Sequence, residues 1–291
     1  MARVFLLGVV TIDFVFHLAS MPRRTEKYRA DDATIVVGGC AANAAIAVAR
    51  LGGNAVLGGR LGDDPVGDLI VKALGQEGID CRGIRRTPGA RSAYSSVYVD
   101  AEGERQIVNF RGENLCTDTG WIGSVDGRVD AVLADTRWFD GAEAAMGLAR
   151  SRDVPGIIDA EAPIHEQPLR SASHVAFSEQ GLTDWIGSLD IAEAASRLGT
   201  WCCVTAGARD VRIAHGAREQ AVPAFRIDPV DTLGAGDVWH GAFALALAEG
   251  RCDVDAIRFA NAAAALKCLT RGGARGTPTR TETEALLRTQ T

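Results

Sequence analysis

Apolar positions along the chain fall in short runs, and stretches of helical period lie between them. Residues 4–10, 55–57, 131–134, 156–158, 174–177 and 202–205 read as buried strands, while Ala-rich segments from about 41 to 51 and 67 to 77 carry the helix pattern. That order predicts βαβ units, a mostly parallel sheet covered on both faces and therefore a three-layer α/β/α sandwich. Ligands of such sheets gather at the carboxyl ends of the strands. Asp13, Asp135 and Asp159 each directly follow an apolar run and are expected to point toward that edge.

Two segments break the rhythm. Residues 92–100 alternate, with Tyr94, Ser96 and Tyr98 on one face and Ser95, Val97 and Val99 on the other, and a turn at 101–104 leads into 105–110 as a hairpin. The stretch 14–37 is poor in helix formers and offers further strands. The two together predict a small β-sheet lid, built from about 14–37 and 92–111, on a single domain spanning 1–291. No internal repeat or low-complexity segment is present, and 277–291 reads as a polar surface helix with a frayed tail.

Composition adds mainly exclusions. With 47% hydrophobic and 23% charged residues the chain has the balance of a soluble protein, and its apolar runs stop well short of the roughly 18 residues a membrane helix needs. The N-terminal run has one Arg ahead of it, but Asp13 interrupts it, so it reads as a strand rather than a signal peptide. A formal net charge of −6 with scattered basic residues gives no footprint for nucleic acid or an anionic membrane. The seven cysteines lack CxxC spacing and suit reduced thiols in a cytoplasm.

The chemistry concentrates in Asp231-Thr232-Leu233-Gly234-Ala235-Gly236-Asp237 and the apolar helix pattern after it. Small residues at Gly234, Ala235 and Gly236 let an anion approach the main-chain N–H groups, and a helix start favours negative charge there. Asp237, a carboxylate beside that anion hole, suits a general base for phosphoryl transfer to a hydroxyl. A Gly-rich cap explains less, because two carboxylates six residues apart exceed what a cap requires. A second candidate is Gly38-Gly39-Cys40-Ala41-Ala42-Asn43, where Asn43 could offer its amide to a sugar hydroxyl. A tight strand-to-helix turn accounts for the same residues. No Walker A or GxGxxG pattern occurs.

These segments, in this order and with Asp13 after the first strand, resemble the PfkB/ribokinase family of sugar kinases over nearly the whole chain. The resemblance implies a ribokinase-like fold, Asp237 as catalytic base, and an anion hole from Gly234, Ala235 and Gly236. It implies sugar binding at Asp13, Gly39 and Asn43. ATP would lie across Thr205, Gly207, Asp231 and Thr232, with Asn261 facing the adenine cleft and Mg²⁺ bridging the phosphates; the question of a monovalent cation stays open. Many members carry Asn-x-x-Glu where this chain has Ser178-Glu179-Gln180-Gly181, which leaves Glu179, acting through water, as the candidate for the metal. That departure resembles the ketohexokinase side of the family. A homodimer joined through the lid is also expected.

Lys27, Asn109 and Arg137 would converge if the lid folds over the strand ends. Two cations and an amide suit a sugar with an anionic end, whereas pairing with Asp135 or Asp140 would make Arg137 an ordinary surface residue. Glu26-Lys27-Tyr28, Gly103-Glu104-Arg105, Leu133-Ala134-Asp135 with Arg137-Trp138, Phe177-Ser178-Glu179 and Ala265-Leu266-Lys267-Cys268 look like the bacterial 6-deoxy-6-sulfofructose kinases. That likeness implies sulfonate recognition by Lys27, Asn109 and Arg137 and phosphorylation of the C1 hydroxyl. Ribose, fructose, a 2-keto-3-deoxy sugar acid, a nucleoside, or a catalytically inactive sugar sensor are the alternatives.

Overall fold

A computed structural model describes residues 1–216 and 218–290. Its strands are β1 (Arg3–Gly8), β2 (Thr11–His17), β3 (Asp32–Gly38), β4 (Asn54–Gly62), β5 (Asp80–Thr87), β6 (Tyr94–Val99), β7 (Arg105–Phe110), β8 (Ala131–Asp135), β9 (Gly156–Ala160), β10 (His174–Ser178), β11 (Trp201–Ala206), β12 (Arg209–His215) and β13 (Arg218–Val222). The helices are α1 (Cys40–Arg50), α2 (Pro65–Gln76), α3 (Phe139–Ser151), α4 (Glu166–Ser171), α5 (Glu179–Ile186), α6 (Ile191–Leu198), α7 (Ala235–Ala248), α8 (Asp253–Cys268) and α9 (Arg280–Leu287). A nine-stranded sheet runs β13-β12-β11-β10-β9-β8-β1-β4-β5. Its strands are parallel from β5 to β11, and β12 and β13 close one edge antiparallel.

Alternation along β1 shows why the sheet is covered on both sides. Val4 and Leu6 enter a core shared with α1, α7 and α8, while Phe5 and Leu7 enter a second core with α3 and β9. The second helix layer draws on α5 and α6 through Leu182, Ile191 and Ala194. Val238 through Leu247 are all buried, so α7 is a central helix, apolar on every side past its first turn. It approaches α1 closely because α1 is Ala-rich and Gly241 faces it; a Cβ at 241 would stand 2.4 Å from the Ala44 carbonyl oxygen.

The smaller sheet has the order β3-β2-β6-β7, with β2 and β6 parallel and the other pairs antiparallel. Its register lines up Asp13, Ser95 and Asn109 in one row across β2, β6 and β7. Ile35, Ile107 and Val108 are exposed apolar residues of this sheet.

The chain departs from the sequence reading in three places. Gly8 ends β1, and the apolar run through Val10 is divided between two sheets, so Asp13 sits inside β2 instead of at the end of a core strand. The strand expected at 55–57 extends to Gly62, because Gly58 and Gly59 lie where a Cβ would meet Leu7 and Val10 at 2.7 and 2.6 Å. The edge strands β5, β12 and β13 were not foreseen, since their charged residues mask any apolar run. The C-terminal segment does form α9, closed by a capping box between Thr279 and Glu282; Thr291 lies outside the described residues.

Candidate active site

The start of α7 places the central carboxylate. Gly234 adopts the left-handed conformation (φ 73°) that a non-Gly residue resists, and α7 begins at the next residue. The Ala235 N–H turns back to the Thr232 carbonyl at 3.1 Å, which removes it from the expected anion hole. The N–H groups of Gly236 and Asp237 belong to the first helical turn and have no acceptor within the helix. They are the ones that can meet an anion.

Asn43, one turn into α1, donates from Nδ2 to Asp237 Oδ2 at 2.7 Å. One N–H of its amide holds Asp237, and the amide oxygen is left without a partner. Burial, followed by the nearby Asp159 carboxyl, pushes the Asp237 carboxyl up to about 7, against the opposing pull of Asn43. A carboxylate poised there is matched to taking a proton near neutrality. Gly39, the residue before α1, has φ 95° and stands where a Cβ would be 2.3 Å from the Val9 carbonyl oxygen, so only glycine admits this crossing.

Asp13 lies across from this pair on the lid. A Cβ on Gly38 would fall 2.4 Å from its Oδ2. Burial raises the Asp13 carboxyl above its ordinary value, and the Ser95 hydroxyl, which hydrogen-bonds to it, acts the other way. Asn109 donates to Ser95 Oγ at 3.1 Å, so Asn109 is joined to Asp13 through a serine that the sequence reading did not single out.

Arg137 follows β8. Its Nη1 donates to the Ala162 carbonyl at 2.6 Å and its Nη2 to Glu161 Oε2 at 3.0 Å, while the acids expected to pair with it do other work. Asp135 is buried and accepts from the main-chain N–H groups of Val9 (2.7 Å) and Arg137 (3.0 Å), fastening the β1–β2 turn to β8. Lys27 is exposed in the connection between β2 and β3 and makes no ion pair among the described residues. The structure joins Asn109 to Asp13 through Ser95.

On the other side of α7 a cavity of about 350 Å³ is lined by Thr205, Gly207, Thr232, Gly236 and Asn261, with apolar walls from Val211, Phe225 and Ile227. Asn261 reaches this cavity with its hydrogen bonds already made. Its Oδ1 accepts from Trp239 Nε1 at 2.7 Å and one N–H of its Nδ2 donates to the Pro223 carbonyl at 3.0 Å, so it braces the cavity wall. Asp231 likewise turns into protein: it pairs with Arg105 of the lid at 2.9 Å and accepts the N–H of Leu233 at 3.0 Å and of Gly272 at 3.2 Å. Lys267, 0% exposed, donates to its main-chain oxygen at 2.7 Å. Glu179 pairs with Arg209, which neutralises the carboxylate expected to serve a metal. Ser178 in turn caps α5 by accepting the Gly181 N–H at 3.0 Å.

Asp237, held by the Asn43 amide, thus stands at the start of α7 beside the apolar cleft. The whole of residues 1–280 matches the pfkB family carbohydrate kinase profile. The chain belongs to the pfkB family of carbohydrate kinases. It is a phosphotransferase of ribokinase-like fold. This kinase is 31% identical to the ribokinase of Bacillus subtilis (strain 168), over 99% of this chain and 100% of that one. It is 29% identical to fructokinase-1 of Zea mays, over 86% of this chain and 88% of the other. The structure of Arabidopsis thaliana ribokinase complexed with ribose and ATP superposes with a TM-score of 0.84 at 25% identity, covering 99% of both chains. These relatives are named for ribose and fructose, and none of the three for a sulfonated sugar.

Several residues around the site escaped sequence reasoning. Ser95 gives no signal beyond its place in an alternating strand. His240 lies three residues past Asp237, on the same helical face, and that spacing could have flagged it. Arg105 and Lys267 fell inside motifs that were noted without a role.

Proposed function

We propose that this kinase transfers the γ-phosphoryl group of ATP to the C1 hydroxyl of a ketose with an anionic end group, of the 6-deoxy-6-sulfofructose type. The observation that carries the transfer is the Asn43-held Asp237 at the start of α7. Asp237 takes the proton of the sugar hydroxyl, and the Gly236 and Asp237 N–H groups meet charge developing on the phosphoryl oxygens. The apolar cleft beside them fits an adenine base, and its open end meets the helix start where phosphates would lie. ATP supplies the transferred group, with Mg²⁺ carried on its phosphates.

Asn109, joined to Asp13 through Ser95, and Arg137, with part of its guanidinium exposed, support recognition of an anionic end. The Arg137–Glu161 pair and the names of the relatives favour a neutral ribose or fructose instead. A panel of sugars separates the readings. 6-Deoxy-6-sulfofructose is expected to give the highest kcat/KM, and Arg137→Ala to lower that value by about 10- to 100-fold, the worth of a charged hydrogen bond. Ribose or fructose outpacing it, with the order unchanged in Arg137→Ala, would reject the anionic-end reading.

Lys267 bears on the monovalent cation. Its buried ammonium group bonds to the Asp231 carbonyl and stands 3.5 Å from the Asp231 carboxylate, which Arg105 also meets. Fixed cations thus already serve the acidic residue of this loop. Turnover should be the same in potassium and in tetramethylammonium salts of equal ionic strength; activation that saturates with potassium would refute it.

A further inference from the structure

Among the described residues, four buried side-chain nitrogen and oxygen atoms lack a hydrogen-bond partner: Asn43 Oδ1, Asp159 Oδ1, His240 Nδ1 and His240 Nε2. All four belong to residues grouped about Asp237. Buried polar atoms are ordinarily satisfied, and leaving one bare costs about 1–3 kcal/mol. Asp159 Oδ1 and His240 Nε2 face each other at only 3.5 Å, and with the Asn43 oxygen they leave a buried polar cluster able to receive a ligand.

The donors present say what that is. Cys40, at the first position of α1, Asp159, near the end of β9, and Asp237 each bring one ligand atom within 4.8 Å of the others. Asp159 and His240 are each 4% exposed, and His240 Nε2 stands 3.5 Å from Asp159 Oδ1. Glu161, just past β9, and Asp135, at the end of β8, add negative charge, and Arg137 is the cation facing them. A sulfur, two carboxylates and an imidazole close behind are poor partners for Mg²⁺, which prefers an all-oxygen octahedron. They suit a borderline divalent ion that accepts mixed sulfur, nitrogen and oxygen donors in tetrahedral geometry.

We propose that Cys40, Asp159 and Asp237, backed by His240, form a binding site for Zn²⁺ or a like transition-metal ion, which shuts the kinase by occupying its catalytic base. The Cys40 thiol gives up its proton to solvent as the metal–sulfur bond forms. An ion bound here uses the Asp237 oxygens that the sugar hydroxyl needs. Inhibition should therefore compete with sugar and be independent of the ATP concentration.

The test is direct binding of Co²⁺ to the intact protein without substrates, followed by the near-ultraviolet thiolate-to-cobalt charge-transfer band. One equivalent should produce the band, Zn²⁺ should abolish it, and Cys40→Ser should lack it. Asp159→Asn, which keeps the thiol and the volume, should weaken Co²⁺ binding by about tenfold or more. In turnover assays Zn²⁺ should raise the apparent KM for sugar, a chelator should reverse the effect, and the inhibition constant should rise in both variants. No band in the unaltered protein, or an unchanged band in Cys40→Ser, overturns the proposal. If Cys40→Ser does not fold, unchanged Co²⁺ affinity in Asp159→Asn overturns it equally. The cobalt titration needs no substrate, so its outcome is independent of which sugar the kinase uses.

Discussion

Asp237→Asn is expected to lower kcat by about 10²- to 10⁴-fold, the contribution of a positioned general base, while ATP binding measured by calorimetry stays close to that of the unaltered protein. Asn at 237 keeps an oxygen for Asn43 to donate to, so the geometry of the site survives and the ability to take a proton does not. With the Asp237 carboxyl at about 7, turnover of the unaltered enzyme should fall as pH drops through that value, because the base becomes protonated. The same shift has a stability consequence of opposite sense. A carboxyl whose pKa is higher folded than unfolded binds a proton in the native state that the unfolded chain has already released, so stability declines as pH rises from about 4 to about 7. Asp237→Asn should therefore raise Tm at pH 8 while it abolishes most turnover. A variant that retains most of its kcat, or melts well below the unaltered protein at pH 8, contradicts the assignment of a buried working base.

Gly241→Ala is expected to lower stability by about 1–3 kcal/mol, as overpacking does. The added carbon would stand 2.4 Å from the Ala44 carbonyl oxygen, and a main-chain atom in a helix cannot swing aside as a side chain can. Relief requires α7 and α1 to separate. That separation would stretch the Asn43–Asp237 bond, which spans the same two helices one turn away. Both Tm and kcat should fall, with Gly147→Ala on α3 as the control, since a Cβ there meets nothing within 4 Å. Denaturant unfolding and steady-state kinetics on the two variants measure this, and equal stability for both would show that the helix contact yields.

Most of the fold was legible because the parallel core strands are apolar on both faces and the helices between them are Ala-rich. The edges were not. β5 carries Arg82, Arg85 and Arg86 on a strand with one neighbour, and a strand of that kind resembles a loop in sequence. Within the site, the Gly234–Asp237 run was readable because main-chain conformation and charge both point to anions there. The partners of each side chain were not readable. Asn43, Asn261 and Asp231 were expected to face ligands, and each also bonds to residues distant in sequence: Asp237, Trp239 with Pro223, and Arg105 with Lys267. Local pattern can place a polar residue at a site edge; which neighbour claims it depends on tertiary packing.

The Arg105–Asp231 pair links a strand of the sugar-side sheet to the first residue of the loop that leads into the phosphate-facing helix. A ligand that shifted β7 would pull on the loop before Gly234 through that one guanidinium. Such influence has to run both ways, because coupling between two bound ligands is a single free energy seen from either side. The contact ties the smaller sheet to the body of the kinase beside α7, at a point outside the apolar cleft.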